Sequence, residues 1–94
     1  MNIRRLVLDV DKAVGMPSIV EIAEAIERVA GTEGVNIAVT EIDVETVGME
    51  ITVEGTDIDF ASLERAIEKV GAALHSVDEI AVGDRIVEHV PRSR

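Results

Sequence analysis

Four segments of the chain alternate hydrophobic and polar residues with a period of two, which predicts four β-strands. In the first segment, Leu6, Leu8 and Val10 lie on one face, and Arg5, Val7 and Asp9 lie on the other. The alternation in the last segment does not define which of its faces is apolar. The predicted strands span residues 3–10, 35–47, 49–55 and 73–82.

Two further segments repeat apolar residues at helical spacing. The first opens with Ser18 and has Glu21 three residues later, the capping-box spacing that satisfies unpaired N–H groups at a helix start. Gly31 is predicted to end this helix, and Asp59 or Asp57 to cap the second. The residues predicted to face the core are Ile19, Ile22, Ala23, Ile26, Val29 and Ala30 in the first helix, and Phe60, Leu63, Ile67 and Val70 in the second.

The second and third strands are predicted to form one hairpin with its turn at Val47-Gly48. The apolar parity changes midway along the second strand, and this one-residue slip predicts a β-bulge near Thr40 and Glu41. One face of the hairpin then carries five carboxylates and no base. The opposite pairs on this face are Glu45 with Glu50, Asp43 with Thr52, and Glu41 with Glu54.

The order of the elements predicts the fold. Strand, helix, strand, strand, helix, strand is the order of a split β-α-β, or ferredoxin-like, α+β sandwich. We expect a four-stranded antiparallel sheet with the first and third strands in the centre and both helices on one face. The prediction is a single domain over residues 1–94, with its core at about 3–83 and a C-terminal arm or short strand at 84–94.

Composition narrows the class of protein. The 94 residues include 19 acidic and 9 basic side chains, a formal net charge of −10. Because phosphates would be repelled, we expect no nucleic-acid or membrane partner, and instead cations, basic surfaces or copies of the chain itself. The absence of cysteine excludes disulfides and thiolate metal sites. No apolar run approaches a membrane helix and no signal peptide is recognisable, so we predict a cytoplasmic protein.

Six segments in order give the chain a resemblance to a known family. They are IRRLVLDV, PSIVE, GVNIAVTEIDVET, ITVEG, AIE and LHSVDEIAVG. Together they resemble the mainly archaeal domain-of-unknown-function family 211. The resemblance implies a ferredoxin-like fold, self-assembly into closed rings or similar oligomers, association with divalent cations, and no catalytic residues to transfer. The segment DKAVGM at 11–16 departs from the lysine-proline pair of the family.

The acidic face of the predicted hairpin requires compensation, since like charges opposite each other destabilise a sheet. Solvent and salt are one source of compensation. A second is arginine from a neighbouring chain, with Arg4, Arg5, Arg65 and Arg85 as candidates. A third is a hard divalent cation, Ca²⁺ or Mg²⁺, and the carboxylates predicted to hold it are Asp43, Glu45 and Glu50.

Other patterns in the sequence give no support for catalysis. His75 and Ser76 are adjacent on a strand and so point to opposite faces, which prevents a nucleophile–base pair. The glycines at 31 and 34 follow a helix, whereas phosphate-binding loops precede one. We therefore expect a non-enzymatic, self-assembling ferredoxin-like protein. The alternative is a regulatory module that binds a small ligand or a divalent cation.

Overall fold

The strands and helices follow one another in the predicted order. The computed structural model describes residues 1–92 and has six elements over that range. They are β1 (Ile3–Ala13), α1 (Ile19–Glu27), β2 (Thr32–Ile42), β3 (Thr46–Gly55), α2 (Phe60–Val70) and β4 (Ala73–Val82).

The four strands form one antiparallel sheet in the order β2-β3-β1-β4, with β1 and β3 in the centre. Leu6, Leu8 and Val10 of β1 are fully buried, as are Met49 and Ile51 of β3. These side chains share one core with the inward residues of both helices. The predicted ferredoxin-like α+β sandwich is therefore confirmed, and the other face of the sheet is open.

Both helices are capped by their own side chains. The hydroxyl of Ser18 accepts the backbone N–H of Glu21 at 3.1 Å, and the Glu21 carboxylate accepts the N–H of Ser18 at 3.0 Å. At the start of α2 the carboxylate of Asp59, and not that of Asp57, accepts the N–H of Ser62 at 3.1 Å. These contacts satisfy N–H groups that have no partner within a helix.

The helix α1 ends at Glu27, before the predicted Gly31. Gly31 adopts a left-handed conformation with φ +91°, and a Cβ atom there would lie 2.5 Å from the carbonyl oxygen of Asp57. Its own carbonyl accepts the N–H of Thr56 at 2.9 Å. This close crossing with the β3–α2 connection requires a backbone without a side chain at residue 31.

The hairpin register predicted from the sequence is wrong. The turn between β2 and β3 comprises residues 43–45, and Val47 and Gly48 belong to β3. The predicted bulge is confirmed, because the pairing of β2 with β3 shifts by one residue between Val39 and Glu41.

Two interactions explain where the turn lies. Val47 is buried and pairs with Lys12 of β1. The central strand β3 begins at Thr46, before the predicted Met49, and so pairs with β1 over a longer stretch. The N–H of Asp43 donates to the carbonyl of Thr46 at 2.8 Å and closes the turn. A valine-glycine pair resembles a turn in sequence, but burial of the valine favours the strand.

The strand β4 has the predicted bounds, and its pairing with β1 shifts register at three places. These irregularities explain why its alternation does not define one apolar face. The residues that follow, 84–92, form no strand or helix and are called the C-terminal arm below. The last two residues of the predicted arm lie outside the described residues.

Candidate functional site on the open face of the sheet

The open face of the sheet divides into two halves along β1. Arg5 lies near the start of the strand, opposite Glu54 of β3. Asp9 lies nearer its end, opposite Glu50 of β3, and is followed on the same face by Asp11. The first half therefore pairs a base with an acid, whereas the second sets two acids against each other. We call them the arginine half and the acidic half.

In the arginine half, one guanidinium contacts three carboxylates. Arg5 donates from Nε to Glu54 Oε2 at 2.8 Å, and from Nη1 and Nη2 to the two oxygens of Glu88 at 2.8 and 3.1 Å. Glu79 of β4 lies 3.7 Å from Nη1. The contact with Glu88 is bidentate, the geometry in which an arginine binds a carboxylate most specifically.

These contacts keep both partners charged. The hydrogen bonds with Glu88 and Glu54 raise the pKa of the Arg5 guanidinium above its ordinary value. The hydrogen bond from Arg5 lowers the pKa of the Glu88 carboxyl below its ordinary value of 4.5. Because Glu88 is exposed, we regard the pair chiefly as a device that positions the arm.

The C-terminal arm lies over the arginine half. Glu88 belongs to this arm, and the carbonyl of Asp84 at its start accepts a hydrogen bond from Arg4 Nη1 at 2.7 Å. Ala81 of β4 pairs with Arg5 and is buried, although no helix covers this face. The arm is thus fixed to the sheet at two points near the start of β1.

The acidic half is uncovered and gathers like charges. Asp9 and Glu50 are direct cross-strand neighbours, a relation in which Cβ atoms lie about 4.5–5.5 Å apart. Asp11 and Glu41 line the same shallow depression as Asp9, as does His75 of β4. Among residues 1–92, none of these carboxylates forms an ion pair with a basic side chain.

The predicted metal ligands Asp43, Glu45 and Glu50 do not converge. Asp43 and Glu45 lie in the β2–β3 turn, where the carboxylate of Asp43 accepts the N–H of Val44 at 2.7 Å. Glu50 lies four residues beyond Thr46, the first residue of β3, a distance of about 13 Å along a strand. Over residues 1–92, no group of three or more His, Asp or Glu side chains is arranged to hold a metal ion. The register error removes the basis of that predicted site.

The strand β4 does not assemble a hydrolase triad. The hydroxyl of Ser76 donates to the carboxylate of Asp78 at 2.7 Å, and His75 lies in the depression with Asp9 and Asp11. The hydroxyl is therefore directed to a carboxylate two residues away. The alternation assumed from the sequence is interrupted here, because Ser76 pairs with Asp9 and the register of β4 with β1 shifts beside this pair, at His75.

Sequence reasoning missed the contact between Arg5 and Glu88. It considered Arg5 as a partner for carboxylates of a neighbouring chain, whereas the structure directs this side chain to Glu54 and Glu88 of the same chain. The parity of β1 places Arg5 on the open face, and that signal was available. The position of Glu88 was not, because the arm has no periodic pattern.

Both edges of the sheet carry exposed aliphatic side chains. Along β2 and into the turn these are Val39, Ile42 and Val44, and the N–H of Val14 binds the turn by donating to the carbonyl of Glu45 at 3.1 Å. At the opposite edge they are Val77, Ile80 and Val82 of β4. Within residues 1–92, no helix is long and apolar enough to cross a membrane.

Comparison with known proteins assigns the family. The family described as Uncharacterized ArCR, domain-of-unknown-function family 211, matches residues 4–94. The chain belongs to family 211. One relative, the Uncharacterized protein MJ0319 of Methanocaldococcus jannaschii, is 41% identical to this family 211 chain over 89 residues, which cover 95% of the chain and 91% of that protein. The resemblance inferred from the sequence is confirmed.

Membership of family 211 does not bring an activity with it. Neither the description of the family nor that of the relative names a reaction, a ligand or an assembly. A proposal for this family 211 chain therefore depends on its own geometry: two aliphatic sheet edges, an arm held by Arg5, and an acidic half without a basic partner.

Proposed function

We propose that this family 211 chain is a non-enzymatic protein that assembles with copies of itself through the two edges of its sheet. The observation that carries the proposal is the set of exposed aliphatic side chains on β2 and β4. Exposed apolar surface of this kind marks interaction sites, because burying it is favourable by roughly 25 cal/mol per Å².

The arrangement favours contact between unlike surfaces. In the order β2-β3-β1-β4, the outer strands are the two edges, and each has unpaired backbone groups on its outer side. The two edges differ in sequence, so a contact from one edge to the other is heterologous. Heterologous contacts generate closed rings when the rotation between copies completes a circle.

The non-enzymatic part of the proposal is supported by the chemistry of the open face. Ser76 donates its hydroxyl proton to Asp78, and the described depression on this face is shallow and lined by carboxylates. A general acid and a general base would need environments that separate their proton affinities. Asp9 and Glu50 lie side by side on the open face of the sheet, and no enclosed cavity sets one of them apart among the described residues.

The mass in solution tests self-assembly. Sedimentation velocity and light scattering at micromolar concentration should show one discrete oligomer, and Ile80→Lys should reduce it to smaller species by placing a charge on the β4 edge. Glu68→Gln, an exposed change on α2 that alters the net charge by the same amount, should leave the oligomer intact. A monomer at both low and high salt would contradict the proposal.

A regulatory module that binds Ca²⁺ or Mg²⁺ is the alternative function, and it has weaker support because Asp43 and Glu45 lie far from Glu50. Titration calorimetry of the metal-stripped protein with each ion decides between the two. A saturable heat that disappears in Glu50→Gln would favour the cation-binding role. No heat, together with an unchanged melting temperature, would remove it.

A further inference from the structure

The C-terminal arm is held in place while two of its aliphatic side chains, Val87 and Val90, remain largely in solvent. Arg5 clamps Glu88, and Arg4 binds the carbonyl of Asp84, so the course of the arm over the sheet is fixed. Val87 and Val90 are nevertheless 75% and 80% exposed. A segment that is anchored through polar groups and directs valines outward has the form of a docking element.

A complementary surface lies at the far end of the same molecule. The hairpin end is the β2–β3 turn with its flanking strand end, where Ile42 is 74% and Val44 is 89% exposed. Asp43 and Glu45 border these two side chains and are exposed as well. The hairpin end therefore alternates exposed aliphatic and negatively charged side chains.

The arm has the opposite charge pattern. Arg85 and Arg92 flank Val87 and Val90 along the arm, and both arginines are exposed. Among residues 1–92, neither arginine forms an ion pair. Two valines between two cations thus face two aliphatic side chains that alternate with two carboxylates. Electrostatic complementarity of this kind sets the register and the partner of an interface.

The arm cannot reach the hairpin end of its own chain. Arg5 fixes Glu88 near the start of β1, whereas the hairpin lies beside Ala13, where β1 pairs with Thr46. Eight residues of extended strand from Arg5 to Ala13 span about 26 Å, and the two residues from Glu88 to Val90 span about 7 Å. The matching surfaces can meet only between two copies.

We propose that the arm of one copy docks on the hairpin end of the next, with Val87 and Val90 on Ile42 and Val44, and with Arg85 and Arg92 facing Asp43 and Glu45. This inference rests on the self-assembly proposed above and names the surfaces that form the contact. Nucleic acid does not fit the hairpin end, because the carboxylates there repel phosphate.

Complementation between two defective variants tests the contact. Val87→Ser with Val90→Ser removes the apolar side of the arm, and Ile42→Ser with Val44→Ser removes that of the hairpin end. Each variant alone should sediment as a monomer with the circular dichroism of the native protein. An equal mixture should form a heterodimer, since each variant keeps the surface that the other has lost.

Charge reversal supplies a second readout. Arg85→Glu with Arg92→Glu should abolish assembly, and adding Asp43→Lys with Glu45→Lys to the same chain should restore it. The matched control, Arg28→Glu with Arg65→Glu on the helices, should assemble like the native chain. Native assembly of the valine or arginine variants would overturn the arm contact and leave self-assembly standing. A native protein that is monomeric would overturn self-assembly itself.

Discussion

The two halves of the open face are built on the same two central strands and differ in how their charges are arranged. In the arginine half, Arg5 faces Glu54 across the ladder and also holds Glu88 of the arm. In the acidic half, four residues later on β1 and four residues earlier on β3, Asp9 faces Glu50. One half is covered by the arm and the other is open.

This difference shows how one guanidinium can organise a surface. Arg5 has five N–H donors in a fixed fork, so it can bind Glu54 through Nε and Glu88 through its two terminal nitrogens. Asp9 offers only acceptors to Glu50, and the two carboxylates can share no hydrogen bond while both are ionised. The arm is therefore held in the one half that supplies donors.

Replacing Arg5 should have the largest effect, because it removes the feature that separates the two halves. Arg5→Gln leaves Glu54, Glu79 and Glu88 close together without a cation. We expect a lower melting temperature and release of the arm, seen as narrow, random-coil NMR resonances for residues after Asp84. Arg28→Gln, which loses only an exposed pair with Glu24, is the control and should change neither observable.

Placing an arginine in the acidic half should give it the character of the other half. Glu50→Arg removes one repulsion and adds one attraction to Asp9, each worth about 0.2–1 kcal/mol, for a predicted gain of about 0.4–2 kcal/mol in the free energy of unfolding. Urea denaturation measures this gain at a protein concentration low enough to keep the chain monomeric. Glu68→Arg on α2 is the control. A loss of stability would show that Asp9 and Glu50 do not repel each other.

Neutralising the same position should give a smaller gain. Glu50→Gln removes the repulsion from Asp9 without adding an attraction, and we expect the free energy of unfolding to rise by about 0.2–1 kcal/mol. The gain should shrink in high salt, because exposed charges are screened. If the free energy of unfolding rose by the same amount at every salt concentration, the cause would not be charge. Glu68→Gln, which removes an exposed carboxylate from α2, is the control for a general effect of lost charge.

Acid should release the arm with the smallest effect on global stability, since Glu88 is exposed. The pKa of the Glu88 carboxyl is lowered by Arg5 below its ordinary value of 4.5. A lowered pKa in the folded state stabilises that state at higher pH, and this contribution is lost as the pH falls through the folded value. The groups facing Glu88 are Arg5 and, through it, Glu54 and Glu79.

The difference in melting temperature between the native protein and Glu88→Gln measures this contribution. It should be constant at neutral pH, begin to shrink near pH 4.5, the ordinary value, and vanish only once the pH falls below the lowered pKa of the folded carboxyl. The arm resonances of the native protein should then match those of the variant. A difference that persists at lower pH would contradict the role of the charged carboxylate.

Short-range sequence patterns predicted the strands and helices correctly where the apolar face that they indicated is the face that is buried. The parity of Leu6 and Leu8 gave the core face of β1, and the spacing of Ser18 and Glu21 gave the start of α1. The change of parity near Thr40 gave the bulge in β2. Each of these signals involves residues within a few positions of one another.

The candidate site was predicted less well, because its geometry depends on pairings that are distant in sequence. The hairpin turn was placed at Val47-Gly48 on local grounds, and the pairing of Val47 with Lys12 of β1 decided otherwise. Moving the turn carried Glu45 away from Glu50, which instead faces Ala38 on β2, and the separate register of β3 with β1 sets Glu50 opposite Asp9. The open face does carry a cluster of carboxylates, but they are not the set that the sequence predicted for the hairpin.

The sequence by itself determined the order of the elements, the apolar faces of the central strands, the helix caps and the surplus of negative charge, since alternation and capping act over a few residues. The tertiary structure alone decided which carboxylate meets Arg5, which meets another carboxylate, and where the arm lies. Those outcomes follow from the registers of β1 with β3 and β4, which are selected by burial summed over whole strands.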